Sequence, residues 1–139
     1  MPDKWGRTQF SPKVLLENCM RPLRRIAVTT IFGKIIRREI PADIVYEDEL
    51  CLAFRDINPQ APVHILIVPK KEIARLVDAG PVGQALLGHL LLAAAKVARQ
   101  LGVDDAFRVL ISNGADAGQT VFHLHLHLLG GRRFHERPA

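Results

Sequence analysis

A short segment near the C-terminus alternates apolar residues with histidines. From Phe122 to Leu128, single apolar residues separate His123, His125 and His127. Because successive side chains of a strand point to opposite faces, this pattern predicts a β-strand over 121–129 with three imidazoles on one face and an apolar row facing the core. Imidazoles two residues apart are spaced by about 6.6 Å along the backbone, close enough to converge on one phosphate or one metal ion.

The residues alone leave three uses of this histidine face open. It is the polar side of a half-buried strand, a zinc site with an open catalytic position, or a site of nucleophilic catalysis. The loop before the strand carries amide, hydroxyl and backbone donors of the kind that bind phosphate oxygens. These donors belong to Asn113, Gly118, Gln119 and Thr120. They favour a phosphate-binding site over zinc.

The positive charge of the chain is concentrated at its N-terminus. Residues 1–28 contain six basic and two acidic residues, a net +4 of the total +5. We therefore predict a solvated basic extension over 1–28 and one domain over 29–139 that is nearly neutral. We do not expect nucleic acid to be a partner of the protein. A transit peptide or a nucleic-acid arm is the alternative use of the extension. We expect a cytoplasmic protein, with a mitochondrial location as the alternative.

Cysteine content and hydropathy restrict the class of protein further. The only cysteines are Cys19 and Cys51, too few for a disulfide scaffold, and we expect both to be free thiols in a reducing compartment. The longest unbroken apolar run is six residues, 90–95, so we expect no membrane-spanning helix. With 139 residues, 48% of them hydrophobic, the chain is long enough for one core without disulfides or a structural metal.

Hydrophobic periodicity predicts an α+β domain with a mainly antiparallel sheet. A short helix capped by Thr30 is predicted to end near Arg38, before Ile40-Pro41. A brief helix over 70–79 and a long helix over 82–101 follow later in the chain. Strands are predicted over 44–47, 50–56, 63–69, 107–112 and 121–129.

The histidine segment resembles the His-φ-His-φ-His-φ-φ motif that defines the histidine triad superfamily. More narrowly, the segments 30–42, 54–71 and 128–132 are similar to the Hint branch, and the resemblance covers about residues 29–135. It implies an α+β fold with a five-stranded antiparallel sheet and two main helices. It also implies a homodimer with a continuous ten-stranded sheet, whose interface is formed by the long helix over 82–101 and a sheet edge.

Members of that branch are nucleoside phosphoramidases, once labelled protein kinase C inhibitors. The resemblance implies hydrolysis of adenosine phosphoramidates to AMP and an amine, without metal or cofactor, through a nucleotidyl-histidine on His125. His127 matches a phosphate contact, His123 an orienting group, and His64 a fourth histidine behind the triad. The alternatives are a zinc hydrolase with the triad as ligands, a purine nucleotide-binding regulatory module, and a hydrolase or transferase acting on dinucleoside polyphosphates.

The resemblance also implies a binding site for the purine nucleotide. Asp56 matches an acid that binds the ribose hydroxyls and Asn113 an asparagine near the ribose and phosphate. Gly118 and Gln119 match phosphate contacts, and Thr120 matches a hydroxyl that donates to the scissile bridge. The apolar slot for the purine would be formed by Ile31, Phe32, Ile35, Ile40, Phe54 and Ile57.

Some positions depart from the branch or receive no role. The tail after Gly-Gly-Arg has Phe134 and Glu136 where a tryptophan often stands, which bears on the preference for the leaving amine. Glu72 stands where relatives have histidine. We expect His89 and His135 to be exposed to solvent.

Overall fold

The computed structural model describes residues 30–135. The predicted extension over 1–28, together with Cys19, therefore lies outside the described residues. Helix α1 spans Ile31–Ile36 and helix α2 spans Gln84–Gln100. The strands are β1 (Ile44–Glu47), β2 (Cys51–Arg55), β3 (Val63–Pro69), β4 (Phe107–Leu110) and β5 (Leu126–Gly130). Single 3-10 turns occupy Leu76–Asp78, Pro81–Gly83 and Ala115–Ala117.

All five strands form one antiparallel sheet in the order β1-β2-β3-β5-β4. The predicted fold class is confirmed, but with one long helix instead of two main helices. Helix α1 begins where Thr30 Oγ1 accepts a hydrogen bond from Gly33 N at 3.1 Å. It ends after six residues because Arg38 adopts a positive φ of 63°, a conformation that no residue of an α-helix has.

The sheet separates two apolar clusters. On one face, α2 packs Leu90, Ala94 and Val97 against Ile65 and Leu126. On the other face, α1 packs Phe32 and Ile35 against residues of β2 and β3. Each fully buried Leu, Ile or Phe contributes about 1.5–3 kcal/mol to the burial free energy, so both helices are fixed to the sheet. The site described below lies on the α1 face.

The segment Pro81–Gln100 is long and apolar enough, by length and composition, to cross a membrane. Its buried residues pack on the sheet, however, as expected for the core helix of a globular domain.

The predicted helix over 70–79 is wrong. Only Leu76–Asp78 forms a 3-10 turn, because the carbonyls of the preceding residues bond elsewhere. Ile73 O accepts from Leu124 N at 2.6 Å, and Ala74 O accepts from Gln119 Nε2 at 2.7 Å. Carbonyls used in this way are not available to an α-helix.

The predicted histidine strand is only half correct. Strand β5 begins at Leu126, so His123 and His125 lie in irregular backbone before it. The ladder to β4 stops at Leu110 because β4 ends there, and the ladder to β3 stops at Ile67, although β3 continues to Pro69 beside β2. Phe122, predicted to lie in the core row, is 45% exposed.

Candidate active site

His125 is buried just before β5, and its ring orientation is fixed by the backbone. Its Nδ1–H donates to the carbonyl oxygen of His123 at 2.7 Å. This bond places the ring proton on Nδ1 and leaves the lone pair on Nε2. The imidazole is therefore held in the tautomer that a nucleophilic histidine requires.

His123 helps to orient His125. Its side chain is 2% exposed, and Nε2–H donates to Pro69 O at the end of β3, at 2.8 Å. Because the same residue supplies the carbonyl that orients His125, anchoring its ring also fixes that carbonyl. The irregular backbone before β5 is essential here, since a carbonyl engaged in a sheet ladder would be less available to an imidazole.

A chain of hydrogen bonds fixes the tautomers of two further histidines. Gln60 N–H donates to His64 Nδ1 at 2.9 Å, so the proton of His64 is on Nε2. His64 Nε2 lies 2.9 Å from His127 Nδ1 and donates to it. The proton of His127 is consequently on Nε2. The ring of His127 is next to that of His125, with centroids 4.9 Å apart, so this donor belongs to the same site.

Asp56 extends the site at the end of β2. Its Oδ2 is 3.4 Å from His64 Nε2, and its Oδ1 accepts from Asn58 N at 2.8 Å. The carboxylate thus supplies negative charge beside a group of neutral imidazoles.

Burial keeps the histidines of this site neutral. Desolvation lowers the pKa of His64, His123 and His125. It lowers the pKa of His127 to about 4, together with the charge that His125 and His64 would carry when protonated. Asp56 opposes the shift in His64, His125 and His127, because a negative charge favours imidazolium.

The predicted apolar slot is only partly enclosed. Phe32, Ile35 and Phe54 are buried in the cluster beneath α1, whereas Ile31 is 47% and Ile57 is 96% exposed. Ile40 is partly buried against the same cluster. The Phe32 ring meets the His125 ring edge-on at a centroid distance of 4.9 Å. One apolar wall therefore contacts the candidate nucleophile directly.

The loop before the triad supplies polar groups, some exposed to solvent and others hydrogen-bonded within the protein. Thr120 is exposed, and Gly118 adopts a φ of 97°, which favours glycine. Asn113 Oδ1 accepts from Val77 N at 2.9 Å.

Gln119 lies in the same loop and is 3% exposed. Its Oε1 accepts from Gly114 N, and its Nε2 donates to the carbonyls of Ala74 and Val121. The amide of Gln119 thus braces the loop internally and has both of its polar ends engaged.

The triad does not have the geometry of a zinc site. In the described part of the chain, two groups of three residues have ligand atoms within 4.8 Å of one another, and the triad histidines do not form such a group. The two groups are Asp48 with Cys51 and His89, and Asp56 with His64 and His127. Instead, His123 and His125 each donate a hydrogen bond from one ring nitrogen to a backbone carbonyl.

Sequence reasoning missed the backbone groups of this site. Gln60 N and Pro69 O determine imidazole tautomers, and a pattern of side chains in the sequence does not show where a main-chain donor or acceptor lies.

The prediction that His89 is exposed to solvent was also wrong. His89 is half-buried and donates to Asp48 Oδ2 at 2.6 Å. The helical stripe that carries His89 packs beside β1, since Gln100 on the same stripe donates to Val45 O. His135 is exposed as predicted.

The family is decided by a profile match. The profile of the HIT domain matches residues 37–134. The chain belongs to the HIT, or histidine triad, family. An uncharacterized HIT-like protein of Synechocystis sp. (strain ATCC 27184 / PCC 6803 / Kazusa) is 66% identical over 114 residues, which are 82% of this chain and 100% of that protein. A 14 kDa zinc-binding protein of Zea mays is 52% identical over 112 residues, 79% of this chain and 88% of that protein.

Solved structures agree with this assignment. A HIT family hydrolase from Legionella pneumophila Philadelphia 1 superimposes with a TM-score of 0.76 at 45% identity, covering 78% of this chain and 98% of that one. A histidine triad nucleotide-binding protein from Candida albicans gives a TM-score of 0.67 at 31% identity, covering 80% and 87%. The chain is thus a hydrolase-like HIT protein whose triad lies on the α1 face of the sheet.

Proposed function

We propose that this protein is a purine nucleoside phosphoramidase that hydrolyses adenosine phosphoramidates to AMP and an amine. The observation that carries the proposal is the 2.7 Å hydrogen bond from His125 Nδ1–H to His123 O, which leaves Nε2 as a nucleophile. The lowered pKa of His125 keeps that nitrogen unprotonated at neutral pH. The nucleotide-binding name of the Candida albicans structure supports the class of ligand.

The reaction proceeds in two displacements at phosphorus. In the first, His125 Nε2 bonds to the α-phosphorus, the P–N bond breaks, and the departing nitrogen takes one proton and leaves as the amine. In the second, water attacks the nucleotidyl-histidine, the new P–N bond to His125 breaks, and one proton is released. The sum is one water consumed for each AMP and amine formed.

The neighbouring histidine binds the phosphate during both displacements. Nε2–H of His127 is a fixed donor, because His64 supplies the proton that occupies its Nδ1 side. A donor that is already oriented stabilises negative charge on the phosphoryl oxygens without reorganisation at the moment of reaction. Thr120 supplies a hydroxyl near the scissile nitrogen, and the backbone of Gly118 supplies a further donor.

The nucleoside occupies the opening between α1 and the end of β2. Phe32, Phe54 and Ile35 form the apolar floor, and Ile31 and Ile57 close on the purine from the exposed side. Asp56, whose carboxylate lies 3.4 Å from His64 Nε2, accepts hydrogen bonds from the ribose hydroxyls. Binding the nucleoside here places its phosphate over His125 and His127.

We also infer that two chains form the active homodimer. The free edge of β4 supports this inference, since within residues 30–135 the strand pairs only with β5. On α2, Leu91 is 50% and Leu92 is 73% exposed. An unpaired strand edge and exposed leucines are surfaces that a second copy of the same chain would cover.

The test is release of AMP from an adenosine phosphoramidate with excess chelator, using the wild type, His125→Ala and the surface control His135→Ala. We expect turnover by the wild type and the control, none by His125→Ala, and a wild-type mass increase by one adenylate during turnover. Turnover that chelator abolishes would support a zinc hydrolase instead, the alternative suggested by the name of the Zea mays relative. Nucleotide binding without turnover would identify a binding module.

A further inference from the structure

A second cluster of reactive side chains lies on the face of the sheet opposite the triad. It joins the turn between β1 and β2 to the middle of α2. Asp48 Oδ1 accepts from the backbone N–H groups of Leu50 and Cys51 at 2.8 and 2.9 Å, which fixes the carboxylate. Its Oδ2 accepts from His89 Nε2 at 2.6 Å and from Tyr46 Oη at 2.8 Å. The phosphoramidase mechanism uses none of these residues.

Three of these groups are ligands that zinc prefers. A carboxylate oxygen of Asp48, the thiol sulfur of Cys51 and a ring nitrogen of His89 lie within 4.8 Å of one another. Zinc is bound in proteins by this set of sulfur, imidazole and carboxylate donors. The Cys51 side chain is fully buried, while the side chains of His89 and Asp48 are 34% and 23% exposed. An ion can therefore enter from the His89 side and reach the buried sulfur.

We propose that Asp48, Cys51 and His89 form a zinc site that ties the β1–β2 turn to α2. Binding removes the thiol proton of Cys51 and moves the Nε2 proton of His89 to Nδ1, so that sulfur, Nε2 and Oδ2 all face the ion. A water completes four ligands. A thiolate and a carboxylate neutralise the charge of the ion.

Two features of the surroundings set the conditions for binding. Burial and Asp48 raise the pKa of the Cys51 thiol to about 12, so zinc competes with a strongly held proton and its affinity rises with pH. Lys96 Nζ lies 3.5 Å from Tyr46 Oη, and its positive charge opposes the ion. Both effects make this a site of moderate affinity that is loaded according to zinc concentration and pH.

The other candidate cluster provides the internal comparison. Asp56, His64 and His127 also have ligand atoms within 4.8 Å, but they belong to the proposed catalytic site. Zinc bound there would occupy His127 Nδ1 and inhibit turnover. Zinc bound at Asp48, Cys51 and His89 would leave turnover unchanged, because the two clusters are on opposite faces of the sheet.

The experiment uses the full-length protein after chelator treatment and its removal. Zinc is titrated by calorimetry at pH 7 and pH 8, and cobalt is titrated by absorption spectroscopy. We expect one zinc for each chain, tighter binding at pH 8, and a sulfur-to-cobalt charge-transfer band. Cys51→Ser and His89→Gln should each weaken zinc binding at least about 10-fold and remove or shift that band. The matched controls Cys19→Ser and His135→Gln should bind zinc as the wild type does.

Several results would overturn the proposal. Three of them are the absence of zinc binding, a cobalt spectrum that shows no sulfur ligand, and a zinc affinity that depends on Cys19. The fourth is a zinc affinity that is lost in His127→Gln, together with inhibition of wild-type turnover by zinc. The His89 side chain is 34% exposed, so His89→Gln should fold even where Cys51→Ser does not, and wild-type cobalt spectra require no variant. Because binding is measured without substrate, failure here is separate from failure of the phosphoramidase proposal.

Discussion

His64 Nε2 lies 2.9 Å from His127 Nδ1, and this contact determines which nitrogen of His127 carries its proton. The backbone N–H of Gln60 occupies the far side of the His64 ring. Neither ring can change its tautomer without losing a hydrogen bond in a buried place, which costs about 1–3 kcal/mol. A main-chain amide on the loop between β2 and β3 thus determines, through His64, which nitrogen of His127 is the donor.

Replacing His64 should reduce kcat according to whether the donor is kept. His64→Leu removes the hydrogen bond to His127 Nδ1, and we expect kcat to fall by about 100-fold. His64→Gln retains an N–H donor, and its loss should be clearly smaller. Steady-state kinetics with an adenosine phosphoramidate would measure both. Equal activity of His64→Leu and the wild type would contradict the assigned role of this contact.

The charge of Asp56 should determine the acid limit of activity. This carboxylate raises the pKa of His64, His125 and His127 against the effect of burial. Asp56→Asn removes the charge, so the pKa of His125 falls and the acid limb of the kcat profile moves to lower pH. KM should rise, because the ribose hydroxyls face one neutral amide oxygen in place of two charged carboxylate oxygens.

The measurement is kcat between about pH 4 and 8 for the wild type, Asp56→Asn and the distant control Asp78→Asn. Asp78 pairs with Arg75 at the surface, so its substitution should leave the limb in place. Movement of the Asp56→Asn limb to higher pH would refute the electrostatic assignment.

The limits of sequence reasoning are clear at the histidine segment. Alternation identified Leu126 and Leu128 as core residues and grouped the three histidines correctly on one side of the chain. It could not show that β5 starts only at Leu126, because strand length depends on the partner strands. The ladders to both neighbours stop here, although β3 itself continues to Pro69, and the carbonyl of His123 accepts a hydrogen bond from His125 instead.

Turn signals explain why other elements were predicted well. Strands β1 and β3 have the predicted bounds, since Asp48-Glu49 and the Asn-Pro-Gln-Ala-Pro segment at 58–62 mark where they end or begin. The brief helix over 70–79 failed because its carbonyls accept long-range hydrogen bonds. His89 was misplaced for a similar reason, since helical periodicity does not show which polar stripe packs beside a strand.

Histidines whose pKa is lowered by desolvation should make the protein less stable in mild acid. His127 has a pKa of about 4 when folded and 6.5 when unfolded. Below pH 6.5 the unfolded chain therefore binds a proton that the folded chain does not, and the free energy of unfolding falls until about pH 4. Each such histidine contributes a slope of at most about 1.4 kcal/mol per pH unit.

Urea unfolding between about pH 4 and 7 would measure this slope. His127→Asn should reduce it, because one titrating group is lost, whereas the exposed control His135→Asn should not. A slope that is the same in all three proteins would show that desolvation does not lower the pKa of His127.

The internal hydrogen bonds of Gln119 predict a loss of stability from its replacement. Gln119→Leu leaves Gly114 N and two carbonyls without a partner, which should lower the free energy of unfolding by about 2 kcal/mol or more. The loop that carries Thr120 would lose its brace, so kcat should fall as well. Gln119→Glu keeps the acceptor but loses both donors and should be affected to a similar degree. An unchanged stability with a raised KM would instead identify Gln119 as a direct phosphate contact.

The exposed leucines of α2 predict how the dimer can be broken. Leu92→Glu adds a charge to a side chain that is 73% exposed, so the fold of one chain should be unaffected while association is prevented. We expect sedimentation at micromolar concentration to give twice 15.5 kDa for the wild type and 15.5 kDa for Leu92→Glu. Val77→Glu is the matched control, since Val77 is 67% exposed but lies outside α2, and it should remain dimeric. A wild type of 15.5 kDa would refute the dimer, and a dimeric Leu92→Glu would place the interface elsewhere.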